Sequence, residues 1–86
     1  MQVIKVTATG VAHTGKTIIG NVNLVSGSAA ATIVLNDSLD GSGDDFGAIK
    51  TANGTSNRMD MESQVFKTGI YATITGAGAS AYIYVK

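Results

Sequence analysis

Short segments in which apolar and polar residues alternate, separated by glycine, dominate this sequence. In the segment Thr17–Val25, Asn21 and Asn23 lie on the polar side of the alternation. The residues of its apolar side are Ile18, Gly20, Val22 and Leu24. Successive side chains of a β-strand point to opposite faces of a sheet, so a period of two predicts half-buried strands. We find no convincing 3.6-residue period of an amphipathic helix, and therefore expect an all-β chain.

This alternation predicts seven strands. They are Gln2–Thr9, Thr17–Val25, Ala31–Asn36, Phe46–Thr51, Arg58–Phe66, Ile70–Thr75 and Ser80–Lys86. Eleven glycines and no proline supply the turns between them. The regular spacing predicts one domain, residues 1–86, folded as an antiparallel β-sandwich of about seven strands, and a jelly roll is one arrangement that would fit. Met59, Met61 and Val65 should face inward, with both methionines filling the core.

The size and charge of the chain limit the classes of function. A domain of 86 residues without cysteine has a small core and no disulfide, and oligomerisation is a common source of extra stability. Six basic and six acidic residues give zero net charge, which argues against binding nucleic acid or a membrane surface through a basic patch. The N-terminal residues MQVIKVTATG do not resemble a signal peptide, and no run approaches the ~20 apolar residues of a membrane span.

The last two predicted strands are separated by the four residues GAGA at 76–79, which predicts an antiparallel hairpin. Thr75 would lie opposite Ser80 and Tyr71 opposite Tyr84, so that apolar residues of one strand meet apolar residues of the other. The second face of this hairpin would collect Tyr71, Thr73, Tyr82 and Tyr84.

Two interpretations of this tyrosine face stay open. Tyrosine favours strands, so these residues can be ordinary surface positions. Tyrosine is also enriched at protein–protein contacts, where it offers a large amphipathic side chain. Because Lys86 at the chain end is the only charge beside the face, we favour an interface with another chain.

Residues 10–17, GVAHTGKT, match the phosphate-binding pattern GxxxxGK[ST]. That pattern needs a helix after it, whose N-terminus points at the phosphate, whereas the segment that follows here alternates like a strand. We therefore expect a hairpin loop with solvated His13 and Lys16, and neither a bound nucleotide nor a cofactor. His13 is the only histidine and the chain has no nucleophile elbow, so no catalytic residue is assigned and no enzyme is expected.

Residues 36–45, NDSLDGSGDD, concentrate carboxylates in one loop. Ca²⁺ takes about six to eight oxygen ligands, which makes Asp37, Asp40, Asp44 and Asp45 a candidate site. Their spacing departs from the EF-hand pattern, and the same residue types are usual in long turns, so a solvated loop is the favoured interpretation. Asn53-Gly54-Thr55 is formally a glycosylation sequon, but a tight Asn-Gly turn is the better interpretation.

The order of these features resembles that of small β-sandwich structural proteins of tailed bacteriophages. The matching positions are Gly15, Lys16, Gly20, Ser26, Gly27, Leu35 and Asp37, then Lys67, Gly69, Ile70, Tyr71, Ala72, Thr75 and Gly76. The resemblance spans nearly the whole chain and implies a virion structural part, either a head-decoration (cement) protein or a module of a fibre or tail. It implies assembly in the host cytoplasm, and it transfers no catalytic residue.

The expected function is therefore non-enzymatic. The chain would self-associate as a trimer or dimer and bind other virion proteins, without nucleic acid, membrane or nucleotide. The alternative is a small carbohydrate-binding or Ca²⁺-dependent β-sandwich module.

Overall fold

A computed structural model describes residues 2–52 and 54–86, without the side chains of residues 44, 46–48 and 62. The described residues form eight strands. They are β1 (Gln2–Val6), β2 (Gly10–Thr14), β3 (Thr17–Val25), β4 (Ala31–Asp37), β5 (Asp44–Thr51), β6 (Ser56–Phe66), β7 (Gly69–Thr75) and β8 (Ser80–Val85). The described residues include no helix long and apolar enough to cross a membrane. The predicted Asn53-Gly54 turn includes Asn53, which lies outside the described residues.

The strands form two four-stranded sheets. The first sheet has the order β1-β8-β3-β6 and the second has the order β2-β7-β4-β5. Neighbouring strands run antiparallel in both sheets. The predicted antiparallel β-sandwich is thus confirmed.

The strand order follows a simple nesting rule. β4 pairs with β5, β3 with β6, β2 with β7 and β1 with β8, as if the whole chain were one long hairpin bent at the β4–β5 connection. Two further pairings, β3 with β8 and β4 with β7, join the rolled-up hairpin into two sheets. This arrangement of eight antiparallel strands is a jelly roll.

The sequence prediction missed β2 and placed a hairpin loop there. Residues Gly10–Thr14 are an edge strand that pairs with β7 in the second sheet, not with β3. The strand is irregular, because its register shifts between Val11 and His13. An edge strand with a β-bulge has no strict alternation, so its pattern looked like a glycine-flanked loop.

The predicted hairpin between the last two strands was wrong. β7 lies in the second sheet and β8 in the first, and the connection at residues 76–79 crosses from one to the other. Apolar residues of the two strands do face each other, but across the core: Ile70 and Ala72 from β7, and Ala81 and Ile83 from β8, are fully buried. In its own sheet β7 pairs with both β2 and β4, and β8 pairs with both β1 and β3. A hairpin of β7 and β8 would supply each of them with only one of its two neighbours.

The core lies between the sheets. Its fully buried large side chains are Phe66, Ile19, Leu24, Ile33, Leu35, Ile70, Ile83 and Val22. Met59 and Met61 pack against it as predicted. Two irregularities change which residues point inward.

In β3 the register shifts between Ile19 and Asn21, so Ile19 is buried and the predicted Ile18 is not. In β6 the same register shift inserts extra residues opposite Gly20, and Ser63 there has a φ of 62°. Phe66 is therefore buried, and the predicted Val65 is only half-buried.

Candidate interaction surface

The four residues of the predicted tyrosine face do not form one surface. Tyr82 and Tyr84 alternate with buried residues of β8, so they lie on the outer face of the first sheet. Tyr71 and Thr73 lie on β7, on the outer face of the second sheet. The two pairs are on opposite sides of the sandwich because the hairpin that would have joined them does not form.

Tyr71 is half-buried by its own chain. A Cβ atom built on Gly41 would lie 3.1 Å from Cε1 of the Tyr71 ring, so the loop at residues 38–43 packs against that ring. Val11 and Asn36 lie beside Tyr71 on the neighbouring strands. Thr73, next to Val34, is exposed. Tyr71 therefore packs in part against a loop of its own chain.

Asn36 holds that loop in place. Its Nδ2 donates to the backbone oxygen of Gly43 at 2.8 Å and to Oδ1 of Asp45 at 2.7 Å. Its Oδ1 accepts from Ser38 Oγ at 2.5 Å and from the Gly43 N–H at 3.0 Å. Asn36 is only 4% exposed, so an unpaired amide there would be costly. The loop is anchored by one satisfied side chain.

The acidic residues in and beside this loop have separate partners. Asp37 accepts the backbone N–H groups of Lys67 at 3.0 Å and of Thr68 at 2.8 Å, with a longer bond of 3.4 Å from Gly69. These bonds, that from Lys67 first, hold the pKa of Asp37 below its ordinary value. The carboxylate closes the turn between β6 and β7.

Asp40 and Asp45 accept hydrogen bonds from other residues of the chain. Asp40 accepts the hydroxyl of Ser42 at 2.5 Å and its N–H at 3.0 Å, which lowers the pKa of Asp40, and Asp45 accepts from Asn36. The Asp44 side chain lies outside the described residues. Among the described side chains, no three acidic, histidine or cysteine groups come together as metal ligands would. The described members of the candidate Ca²⁺ set, Asp37, Asp40 and Asp45, therefore do not converge on one site.

The GVAHTGKT segment does not have the geometry of a phosphate loop. Its first five residues are β2, and the strand β3 follows at Thr17, where the nucleotide-binding motif requires a helix. The N–H of Gly15 donates to the backbone oxygen of Thr68 at 3.0 Å, so it is already occupied. Lys16 is exposed as expected, whereas His13 is half-buried opposite Ile70 on β7.

The outer face of the first sheet carries an ordered set of polar and aromatic residues, which we call the outer grid. In an antiparallel sheet, directly opposite residues lie on the same face. The register defines two rows across β1, β8, β3 and β6. The first row is Val3, Tyr84, Asn21 and Asp60, and the second is Lys5, Tyr82, Asn23 and Arg58.

The two residues that each strand contributes to the outer grid form a column, and each column has its own chemistry. The tyrosines and asparagines of the two central columns are half-buried, and the four residues of the outer columns are exposed. Lys5 Nζ lies 5.9 Å from the centroid of the Tyr82 ring, within the range of a cation–π contact. Val3 is 51% exposed, which makes it an apolar edge to the tyrosine column. No pocket is found among the described residues, and this open face is the most distinctive surface of the chain.

Sequence reasoning found only part of the outer grid. It named Tyr82 and Tyr84, and it placed Asn21, Asn23, Arg58 and Asp60 on polar faces of their own strands. It could not join these faces, because the neighbours of a strand are set by sheet order and not by local alternation.

Comparisons of the chain with protein-family models, curated proteins and solved structures found no match in any of the three.

Proposed function

We propose that this chain is a non-enzymatic structural protein of a phage virion, a head-decoration protein or a fibre module, which acts by self-association and by binding other virion proteins. The observation that carries the proposal is the jelly-roll strand order, because this fold is recurrent in viral capsid proteins as well as in lectin domains. A fold alone does not define a function. The resemblance to phage β-sandwich proteins and the outer grid supply the additional support.

The outer grid has the composition of a protein contact surface. Its centre contains two tyrosines, and tyrosine and arginine are enriched at protein–protein interfaces whereas lysine is depleted. Its charges are mixed, with Lys5, Arg58 and Asp60 at the outer columns. The charged side chains of the outer columns lie around a half-buried centre that includes two tyrosines, as in the usual division of an interface into core and rim.

Analysis of purified particles tests the proposal. Virions or induced prophage particles from the source of the sequence would be banded on a density gradient and their proteins quantified by mass spectrometry. The expected result is that this chain co-bands with the major capsid protein at a fixed ratio of many copies per particle. Its absence from intact particles, with the chain present in the soluble lysate, would overturn the proposal.

A second candidate function, carbohydrate binding, is favoured by the pairing of Tyr82 with Asn23 and of Tyr84 with Asn21. An aromatic ring can stack on the apolar face of a sugar while an amide binds its hydroxyl groups. Glycan-array binding by the wild-type chain that is lost in Tyr82→Ser would support this candidate. No glycan binding at millimolar ligand would remove it.

A further inference from the structure

We infer that the outer grid binds the outer grid of a second copy of this chain, with a two-fold axis that runs across the strands between the two rows. The inference rests on the proposed self-association and adds the surface and its symmetry.

The symmetry of the outer grid limits how two copies can meet. When the strands of two facing sheets are aligned within about 30°, a two-fold axis between the sheets runs close to across the strands or close to along them. An axis across the strands exchanges the two rows and leaves each residue over its own column. An axis along the strands keeps the rows and reverses the columns.

The charges distinguish these two arrangements. With the axis across the strands, Arg58 of each copy faces Asp60 of the other, so two opposite-charge contacts form. With the axis along the strands, Lys5 of each copy faces Arg58 of the other, and like charges meet twice. Charge complementarity therefore favours the first arrangement.

The other columns are also self-complementary in that arrangement. Tyr82 faces Tyr84 of the second copy, which allows two aromatic contacts at the centre of the interface. Asn21 faces Asn23, and each amide can both donate and accept. The stem of Lys5 covers Val3, an exposed apolar side chain that would be withdrawn from water.

The dimensions of the molecule leave room for a specific interface on this face. Packed sheets lie about 10 Å apart, so the shortest extent of the molecule, 17 Å, runs through both layers. The two remaining extents, 33 and 24 Å, bound the sheet face at about 800 Å², the usual area per partner in a specific interface. Facing sheets pack with strands within about 30° of each other, which keeps the central tyrosine and asparagine columns in register.

A charge-exchange experiment tests the inference. Sedimentation velocity and native mass spectrometry would compare the wild-type chain with Arg58→Asp and with Asp60→Arg. Each variant places like charges opposite each other at both contacts, and the dimer dissociation constant should rise about tenfold or more. An equimolar mixture of the two variants restores opposite charges at both contacts, so a heterodimer should form although neither variant dimerises alone.

Matched controls separate this effect from a general change of charge. Lys50→Asp changes the charge in the same direction as Arg58→Asp, but on β5 of the second sheet, and should leave the dimer intact. Circular dichroism checks that each variant is folded. Recovery of dimerisation in the mixture independently excludes misfolding as the reason for its loss.

The outcomes for the inference and for the proposed function are distinct. A wild-type oligomer that neither Arg58→Asp nor Asp60→Arg weakens would overturn this interface and leave the virion proposal intact. A wild-type chain that stays monomeric at several hundred micromolar would also overturn it, while particle analysis decides the virion role. Glycan binding abolished by Tyr82→Ser, on a monomeric chain, would identify a carbohydrate as the occupant and overturn the dimer.

Discussion

The carboxylate of Asp37 accepts the backbone N–H of Thr68 at 2.8 Å, which ties the end of β4 to the turn between β6 and β7. At this turn the chain passes from the first sheet to the second. Asp37, which was considered as a cation ligand from the sequence, thus links a strand of the second sheet to the turn that connects the two sheets.

Replacing Asp37 should destabilise the fold. Asp37→Ala removes the acceptor of three backbone N–H groups, and the loss should be about 1–2 kcal/mol after allowance for solvent at this partly exposed site. Urea unfolding followed by circular dichroism measures it. Asp40→Ala is the control, because its partner Ser42 belongs to the same loop, and its effect should be smaller. Equal losses in both variants would contradict the proposed role of Asp37.

The stabilisation by Asp37 should depend on pH. The folded state holds the pKa of Asp37 below its ordinary value of 3.8, chiefly through the N–H of Lys67 and then that of Thr68. The ionised form is therefore favoured by folding, and its contribution is complete above pH 3.8 and lost as the pH falls through the lowered folded pKa. The difference in unfolding free energy between wild type and Asp37→Ala should be constant near neutrality and shrink in acid. A difference that grows in acid would have the wrong sign.

Phe66 should contribute far more stability than its neighbour Val65. Phe66 is fully buried in the core, so Phe66→Ala should cost about 3–5 kcal/mol, and Phe66→Leu is a milder variant if the first does not fold. Val65 is only half-buried, and Val65→Ala should cost about 1 kcal/mol or less. Chemical denaturation of both variants decides between the structure and simple alternation, which places Val65 inward and predicts the reverse order.

Gly76 should not tolerate a side chain. Its φ is 112°, and an added Cβ would overlap the backbone oxygen of Ala30 and Cα of Ala31, so Gly76→Ala should cost about 1–3 kcal/mol or more. Gly10→Ala is the control, because nothing lies within 4 Å of a Cβ there. That variant should be neutral or up to about 1 kcal/mol more stable. Thermal melts should therefore show a lower melting temperature than wild type for Gly76→Ala, and an equal or higher melting temperature for Gly10→Ala.

Asn36 should control the opening of the loop at residues 38–43. Asn36→Ala removes the bonds to Gly43, Asp45 and Ser38, and it should expose the loop without unfolding the sheets. Hydrogen exchange should show faster exchange of the Gly41 and Gly43 amides, with the β3 amides unchanged. Ser42→Ala, which removes only the hydroxyl bond to Asp40, should leave the Gly43 amide protected. Uniform acceleration across all strands would point to global destabilisation.

The sequence predicted the fold class because alternation is a local signal. The segment Ala31–Asn36 shows this well: Ala31, Ile33 and Leu35 face inward as predicted. The missed strand partners depend on distant parts of the chain, whereas the missed inward positions come from irregularities within the strands. The bulge opposite Gly20 and the left-handed Ser63 shift the inward positions of β3 and β6 to Ile19 and Phe66, and strict alternation has no place for such extra residues.

Which strands pair with each other is harder to predict from the sequence than where the strands are. Ile70 on β7 and Ile83 on β8 satisfy the same apolar match whether the strands pair side by side or face each other across the core. The short loop at residues 76–79 favoured the first arrangement, and the sandwich has the second. The same limit applied to the outer grid: Asn23 and Arg58 were each recognised as outward-facing, and only the sheet order makes them neighbours.

The nested pairing of strands also implies an order of folding. β4 and β5 are joined by a short loop, whereas Gln2 on β1 must find Val85 on β8 at the other end of the chain. Closing short loops costs less entropy, so the chain should form its bent centre first and add the outer strand pairs afterwards. The Asn36 contacts would then be present in the folding transition state, and those of Val85 would form late. The φ-value divides the change in the activation free energy of folding by the change in the free energy of unfolding. It should be large for Asn36→Ala and near zero for Val85→Ala if the chain closes from its middle towards its ends.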